Sequence, residues 1–221
     1  MALVGIDFET SRRAIELAEQ HEGVYAVVGW HPNSASKWSG AMFRELEEVS
    51  KHPLAVAIGE IGLDYHWDFA TSEQQKDCLI DQLDLASQLK KPVVFHCRKA
   101  YDDLLDILES RPAHDYLFHC FSGDDSHAKR VDRLGSIIGV DGPLTYKKSD
   151  ELRALCKRWP QDRVVLETDS PYLSPEPYRG KPNHPSYLPY INQALAKCWD
   201  ITPEESAKQT FKNGQRFFGI G

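Results

Sequence analysis

Residues 55–65 read Ala-Val-Ala-Ile-Gly-Glu-Ile-Gly-Leu-Asp-Tyr. Small and β-branched apolar residues run almost without interruption until Glu60 and Asp64, which is the pattern of a strand buried on both faces of a parallel sheet. The same grammar recurs along the chain, with runs at Leu3–Ile6, Val24–Trp30, Ala55–Ile61, Val93–Cys97, Tyr116–Phe121, Ser136–Val140 and Arg163–Thr168. Stretches of helical period separate them. The first begins near Thr10 and ends at Gly23. Another starts at Thr71, where Gln74 completes a capping box, and carries Leu79, Leu83, Ala86 and Leu89. Thr202, Pro203 and Glu205 predict a terminal helix with an N-cap, a first-turn proline and a capping-box acid.

Strand–helix alternation of this kind predicts an α/β protein with parallel strands and helices packed outside. Seven strands are one short of a TIM-type (β/α) barrel. The 221 residues also fall below the usual size of about 250 by roughly one βα unit. No GxGxxG follows the first strand, which argues against a dinucleotide-binding sheet. No boundary or repeat divides the chain, so a single barrel domain over 1–221 is expected.

Composition narrows the function. The balance of 26 basic against 33 acidic residues gives a net charge of −7, which excludes a protein that coats duplex DNA through clustered cations. A bound divalent ion can still supply local positive charge within an acidic protein. No apolar run is long enough to span a membrane, and the N-terminus lacks the pattern of a secretory signal. Five cysteines without a CxxC pair are expected as reduced thiols in a cytoplasmic protein. Cys97 and Cys120 alternate away from their neighbouring histidines and are expected under the helices as small apolar side chains.

The chemistry lies at the strand ends. Glu60 and Asp64 close the third run, His96 and Arg98 the fourth, His119 the fifth, and Glu167 and Asp169 the seventh. In a parallel barrel these ends share one face, and imidazole beside carboxylate there suits Zn²⁺, Mn²⁺ or a similar hydrolytic ion. Glu167 reads equally as a support for such a site or as a satisfied buried carboxylate. His31 follows the second strand, and Arg98, Arg179 and Lys181 lie just beyond strand ends, where they are candidates for holding a phosphate. Asp64 is expected to position Arg98 or a water in the same region.

The segments GEIGLDY (59–65), HCRKA (96–100), HCFSG (119–123), ETDSPYL (167–173) and RGKPNHPSYLP (179–189) resemble, in order, the TatD family of metal-dependent deoxyribonucleases. GWHP (29–32), TYKK (145–148) and NGQRFFGI (213–220) resemble further landmarks of that family. The resemblance implies a TIM barrel, divalent Mg, Mn or Zn, and hydrolysis of nucleic-acid phosphodiesters, most often from a single-stranded 3′ end. It implies that Glu60, His96, His119 and Asp169 are metal ligands, with Glu60 bridging two ions and Asp169 taking a proton from the attacking water. Single-stranded DNA or another phosphodiester is the implied partner, contacted by His31, Asp64, Arg98, Arg179 and Lys181.

The family pattern also contains an opening strand with a His-x-His pair, and no such pair occurs in this sequence. The expectation is therefore a barrel without its first βα unit, one intact metal site, and a second that is weak or absent. Two alternatives stand beside the nuclease reading. One is an amidohydrolase acting on a C–N or ester bond. The other is a truncated homologue with weak or no activity.

Overall fold

The computed structural model describes residues 1–221. Backbone contacts group them into two units, Met1–Phe118 with Lys129–Gly135, and His119–Ala128 with Ser136–Gly221. Seven strands are present, one at each run expected from the sequence.

The first unit holds β1 (Ala2–Val4), α1 (Phe8–Gln20), β2 (Tyr25–Val28), α2 (Gly40–Ser50), β3 (Ala55–Asp64), α3 (Ser72–Leu89), β4 (Val93–Arg98), α4 (Tyr101–Glu109) and β5 (Tyr116–Phe118). Its strands pair in parallel, each with the next in sequence. Nine of the ten residues of β3 are buried, so both of its faces are covered, as the unbroken apolar run demands. Phe95 and Phe118, both fully buried on neighbouring strands, pack ring to ring at 5.3 Å and anchor the core beneath α4.

Helix starts follow local chemistry. The Thr71–Gln74 capping box opens α3 as expected. The α1 helix begins at Phe8, slightly before the expected start near Thr10, and its cap is Asp7: the Asp7 carboxylate accepts from the Thr10 amide, and the Thr10 hydroxyl accepts from the Asp7 amide. A short acidic side chain three residues ahead of a threonine wins the cap because both orphan amides are then satisfied.

The second unit holds β6 (Ile137–Val140), α6 (Asp150–Arg158), β7 (Val164–Leu166), α7 (Leu188–Trp199) and α8 (Pro203–Phe218), with β6 and β7 parallel. The Thr202 capping box opens α8. Asn213 on α8 donates to the carbonyls of Gln161 and Val164, fixing the helix on β7. The α5 helix spans Asp125–Arg133.

Four strands stop short of the sequence expectation, the first at Val4 and the second at Val28. The fifth ends at Phe118 and the seventh at Leu166, so His119, Glu167 and Asp169 lie just past their strands. Cys120 and Asp169 adopt φ values of 44° and 54°, which breaks the extended run at both places. Cys97 is buried, Cys120 is half-buried, and all five cysteines are free thiols.

Candidate metal centre

In the first unit, β3 and β4 bring together Glu60, Asp64 and His96. Residues 60, 62 and 64 alternate onto one side of β3, and Gly62 pairs with His96 on β4. A Cβ at Gly62 would fall 1.9 Å from the His96 carbonyl oxygen, and φ there is +143°. Only glycine permits this approach. It brings His96 between two carboxylates, with Nδ1 at 3.0 Å from Glu60 Oε1 and Nε2 at 2.9 Å from Asp64 Oδ2.

A carboxylate can only accept, so Nε2–H donates to Asp64 and, without a cation, Nδ1–H donates to Glu60. Burial opposes charge on His96, but the hydrogen bonds it donates to Asp64 and Glu60 outweigh it and raise the imidazole pKa to about 9. Burial likewise pushes Asp64 up. The His96 ring and the His66 amide overcome that push and hold Asp64 below its ordinary value.

His31 sits over the same ring, its centroid 4.4 Å from that of His96. Its Nδ1 accepts from the Asn33 amide at 3.2 Å, so Nε2 is the nitrogen it can offer to a ligand. The donor atoms of His31, Glu60 and His96 lie within 4.8 Å of one another. Two imidazoles and a carboxylate at that spacing fit a divalent ion. An ion there would replace the proton between Glu60 and His96 Nδ1. Asp64 would keep Nε2–H, the outer carboxylate that orients a metal-binding histidine.

Two glutamines of α3, seven residues apart on one face, secure the strand ends that feed this cluster. Gln75 accepts from the Asp64 amide (2.7 Å) and donates to its carbonyl (2.9 Å). Gln82 does the same for Trp30, at 2.8 and 3.0 Å, and so fixes the residue before His31. Both glutamines are 1% exposed.

The second unit gathers His119, Glu167, Asp169 and Asp141. Glu167 Oε1 accepts from the Cys120 amide and lies 3.2 Å from His119 Nδ1. Asp169 Oδ1 is 4.0 Å from His119 Nε2. A Cβ at Gly139 would meet the Glu167 carboxylate at 2.3 Å, so that glycine makes the room Glu167 occupies. Asp141, at the end of β6, is 2% exposed and its Oδ2 has no hydrogen-bond partner. Burial and the negative charge of Glu167 raise its pKa to about 7. Such crowding of buried acids is relieved by a cation.

Several residues differ from the sequence expectation. Asp64, expected to position Arg98 or a water, is 1% exposed; its carboxylate faces His96 and the His66 amide, and the Arg98 charge also helps to hold its pKa down. His31, read as a phosphate contact, lies among the metal-type donors. Arg98 stands 5.8 Å from the Trp67 ring centroid, and Arg179 4.3 Å from that of Tyr146. Lys181 is exposed on the loop whose Asn183 side chain holds the Asp169 turn through the carbonyls of Thr168 and Tyr172. Asp141 went unread, although an acid directly after the sixth apolar run satisfies the rule that found the others.

Imidazoles and carboxylates gathered past the C-terminal ends of parallel strands define a metal-dependent hydrolase. Comparison with known proteins carries this further. The family model for TatD-related DNase matches residues 1–219. The uncharacterized metal-dependent hydrolase YabD of Bacillus subtilis is 36% identical over 222 residues, covering 100% of this chain and 87% of that protein. The 3′-5′ ssDNA/RNA exonuclease TatD of Klebsiella pneumoniae is 35% identical, covering 100% and 86%. The crystal structure of YjjV, a TatD homologue from Escherichia coli, superposes with a TM-score of 0.92 at 30% identity, covering 100% of this chain and 86% of that one. The chain belongs to the TatD-related DNase family and is a metal-dependent hydrolase. No helix is long and apolar enough to cross a membrane.

Proposed function

We propose that the protein hydrolyses phosphodiester bonds of single-stranded nucleic acid, removing nucleotides from the 3′ end. The observation that carries this reading is the Glu60–His96–Asp64 arrangement with His31 above it, a donor set built for a divalent ion. A bound Mg²⁺, Mn²⁺ or Zn²⁺ would activate water and neutralise charge on the transferring phosphoryl group.

The chain's own residues have separate tasks. Asp64 keeps the Nε2 proton of His96 and thereby leaves Nδ1, beside Glu60, as the nitrogen that a bound ion would take. By their match to the HCFSG and ETDSPYL motifs, His119 and Asp169 are assigned as metal ligands too. Asp169 accepts the proton of the attacking water, a role that requires hydrogen-bond reach. Arg98, Arg179 and Lys181 hold phosphate oxygens, for which guanidinium forks are suited.

The test is a substrate panel with each metal: single-stranded oligonucleotides and a phosphodiester chromogen against cyclic amides and esters. Cleavage confined to phosphodiesters supports the reading. Turnover of amides or esters in preference to them overturns it.

A further inference from the structure

The loop that continues β3 past Asp64 carries Trp67 and Phe69, and it turns both rings to solvent. Trp67 is 45% exposed and Phe69 61%. Burial of one such side chain stabilises a fold by about 1.5–3 kcal/mol, so folding alone gives no reason to leave two of them outside side by side. Their rings stack, with centroids 5.9 Å apart and planes inclined by 24°. His66 meets Trp67 edge-on at 4.6 Å, and the Arg98 guanidinium stands 5.8 Å from the Trp67 centroid.

The patch is tied to the metal-type cluster at two points. The His66 amide donates to Asp64 Oδ1 at 2.9 Å, on the same carboxylate that holds His96. The Tyr65 amide donates to the Arg98 carbonyl, also at 2.9 Å, so β3 and β4 deliver the aromatic loop and the arginine together. The start of the aromatic loop is therefore tied both to the Asp64 carboxylate and to the end of β4.

We propose that Trp67, Phe69 and Arg98 form a stacking platform for the nucleobases of single-stranded nucleic acid, which sets the strand preference of the phosphodiesterase activity proposed above and rests on that reading. Every base has a flat apolar face, so an aromatic stack binds bases of any sequence. A guanidinium standing over the Trp67 ring, as that of Arg98 does, pairs with a flanking phosphate. In a duplex the base faces are covered by their neighbours, so the platform selects unpaired ends. A second copy of this chain could cover the same rings, but self-association gives no role to an arginine delivered beside a metal-type cluster.

The experiment measures binding in EDTA, where cleavage cannot intervene. Fluorescence anisotropy would compare a labelled oligothymidylate with an abasic oligonucleotide of the same length and charge, for wild type, Trp67→Phe, and the Trp67→Ala/Phe69→Ala double variant. Wild type is expected to prefer the base-bearing strand by about five-fold or more. Trp67→Phe retains most of that preference, and the double variant binds both strands equally. Equal binding of the two strands by wild type, or an undiminished preference in the double variant, overturns the proposal. So does sedimentation showing a dimer that dissolves in the double variant while base preference persists. A base preference without metal-dependent cleavage of the same strand would defeat the nuclease reading and leave the platform standing.

Discussion

Asp64 and His96 face each other at 2.9 Å through Oδ2 and Nε2, and this pairing decides which nitrogen of the imidazole reaches Glu60. With Nε2–H committed to a buried carboxylate, the ring cannot swap tautomers without leaving that carboxylate unpaired.

Replacing Asp64 with Asn removes the charge that fixes the tautomer while keeping the shape. The expected outcome is a fall in divalent-ion affinity of about 10–100-fold. Competition against a chromogenic chelator reads it. Unchanged affinity would mean that Asp64 is a passive neighbour.

Gly62→Ala tests the close approach of β3 to β4. The added methyl would sit 1.9 Å from the His96 carbonyl at a φ of +143°, so the strands must part. Destabilisation on the order of 3 kcal/mol is expected from denaturant unfolding, together with weakened metal binding. A variant as stable as wild type would contradict the account of why glycine stands there.

Part of this arrangement is legible in the sequence, for a physical reason. Parallel strands announce themselves as apolar runs, and an ionisable residue at the end of one is costly unless it has a task. On that ground the sequence singles out Glu60, His96, His119 and Asp169, and the structure brings Glu60 and His96 to 3.0 Å of each other. The partner of a carboxylate is not written in its own segment: the sequence points Asp64 toward Arg98 or a water, and the structure adds His96 at 2.9 Å. Gln75 and Gln82 were not singled out because a polar residue on an amphipathic helix normally faces water. Here both are buried against backbone at Asp64 and Trp30. The fifth run reads past Phe118 because Cys120, which turns the chain at a φ of 44°, is not a turn former by type; Asp169 is one, but its turn comes three residues after β7 has ended at Leu166.

Gln75→Ala leaves the Asp64 amide and carbonyl buried without partners. Each unsatisfied group costs about 1–3 kcal/mol, so a clear drop in melting temperature is expected. Gln75→Leu, similar in bulk, should be no better. Recovery by leucine would show that packing, not the paired hydrogen bonds, is what matters.

The metal-free protein should show a distinct pH dependence. His96 has its folded pKa raised to about 9, above an unfolded value near 6.5. Its contribution is therefore fully present below pH about 6.5 and is lost as pH rises through about 9. In EDTA the melting temperature of wild type should fall across that window more than that of His96→Gln. Metal affinity should rise over the same range, because the ion competes with the Nδ1 proton. A wild-type profile that parallels His96→Gln would contradict the arrangement of the two carboxylates around the ring.

The most direct test of the central claim is degradation of single-stranded DNA labelled at either end, with Mg²⁺, Mn²⁺ or Zn²⁺ and after chelation. The account predicts metal-dependent loss of the 3′ label ahead of the 5′ label by wild type, and none by Glu60→Gln or Asp169→Ala. Intact DNA with wild type in every metal, or equal cleavage by the two variants, would contradict it.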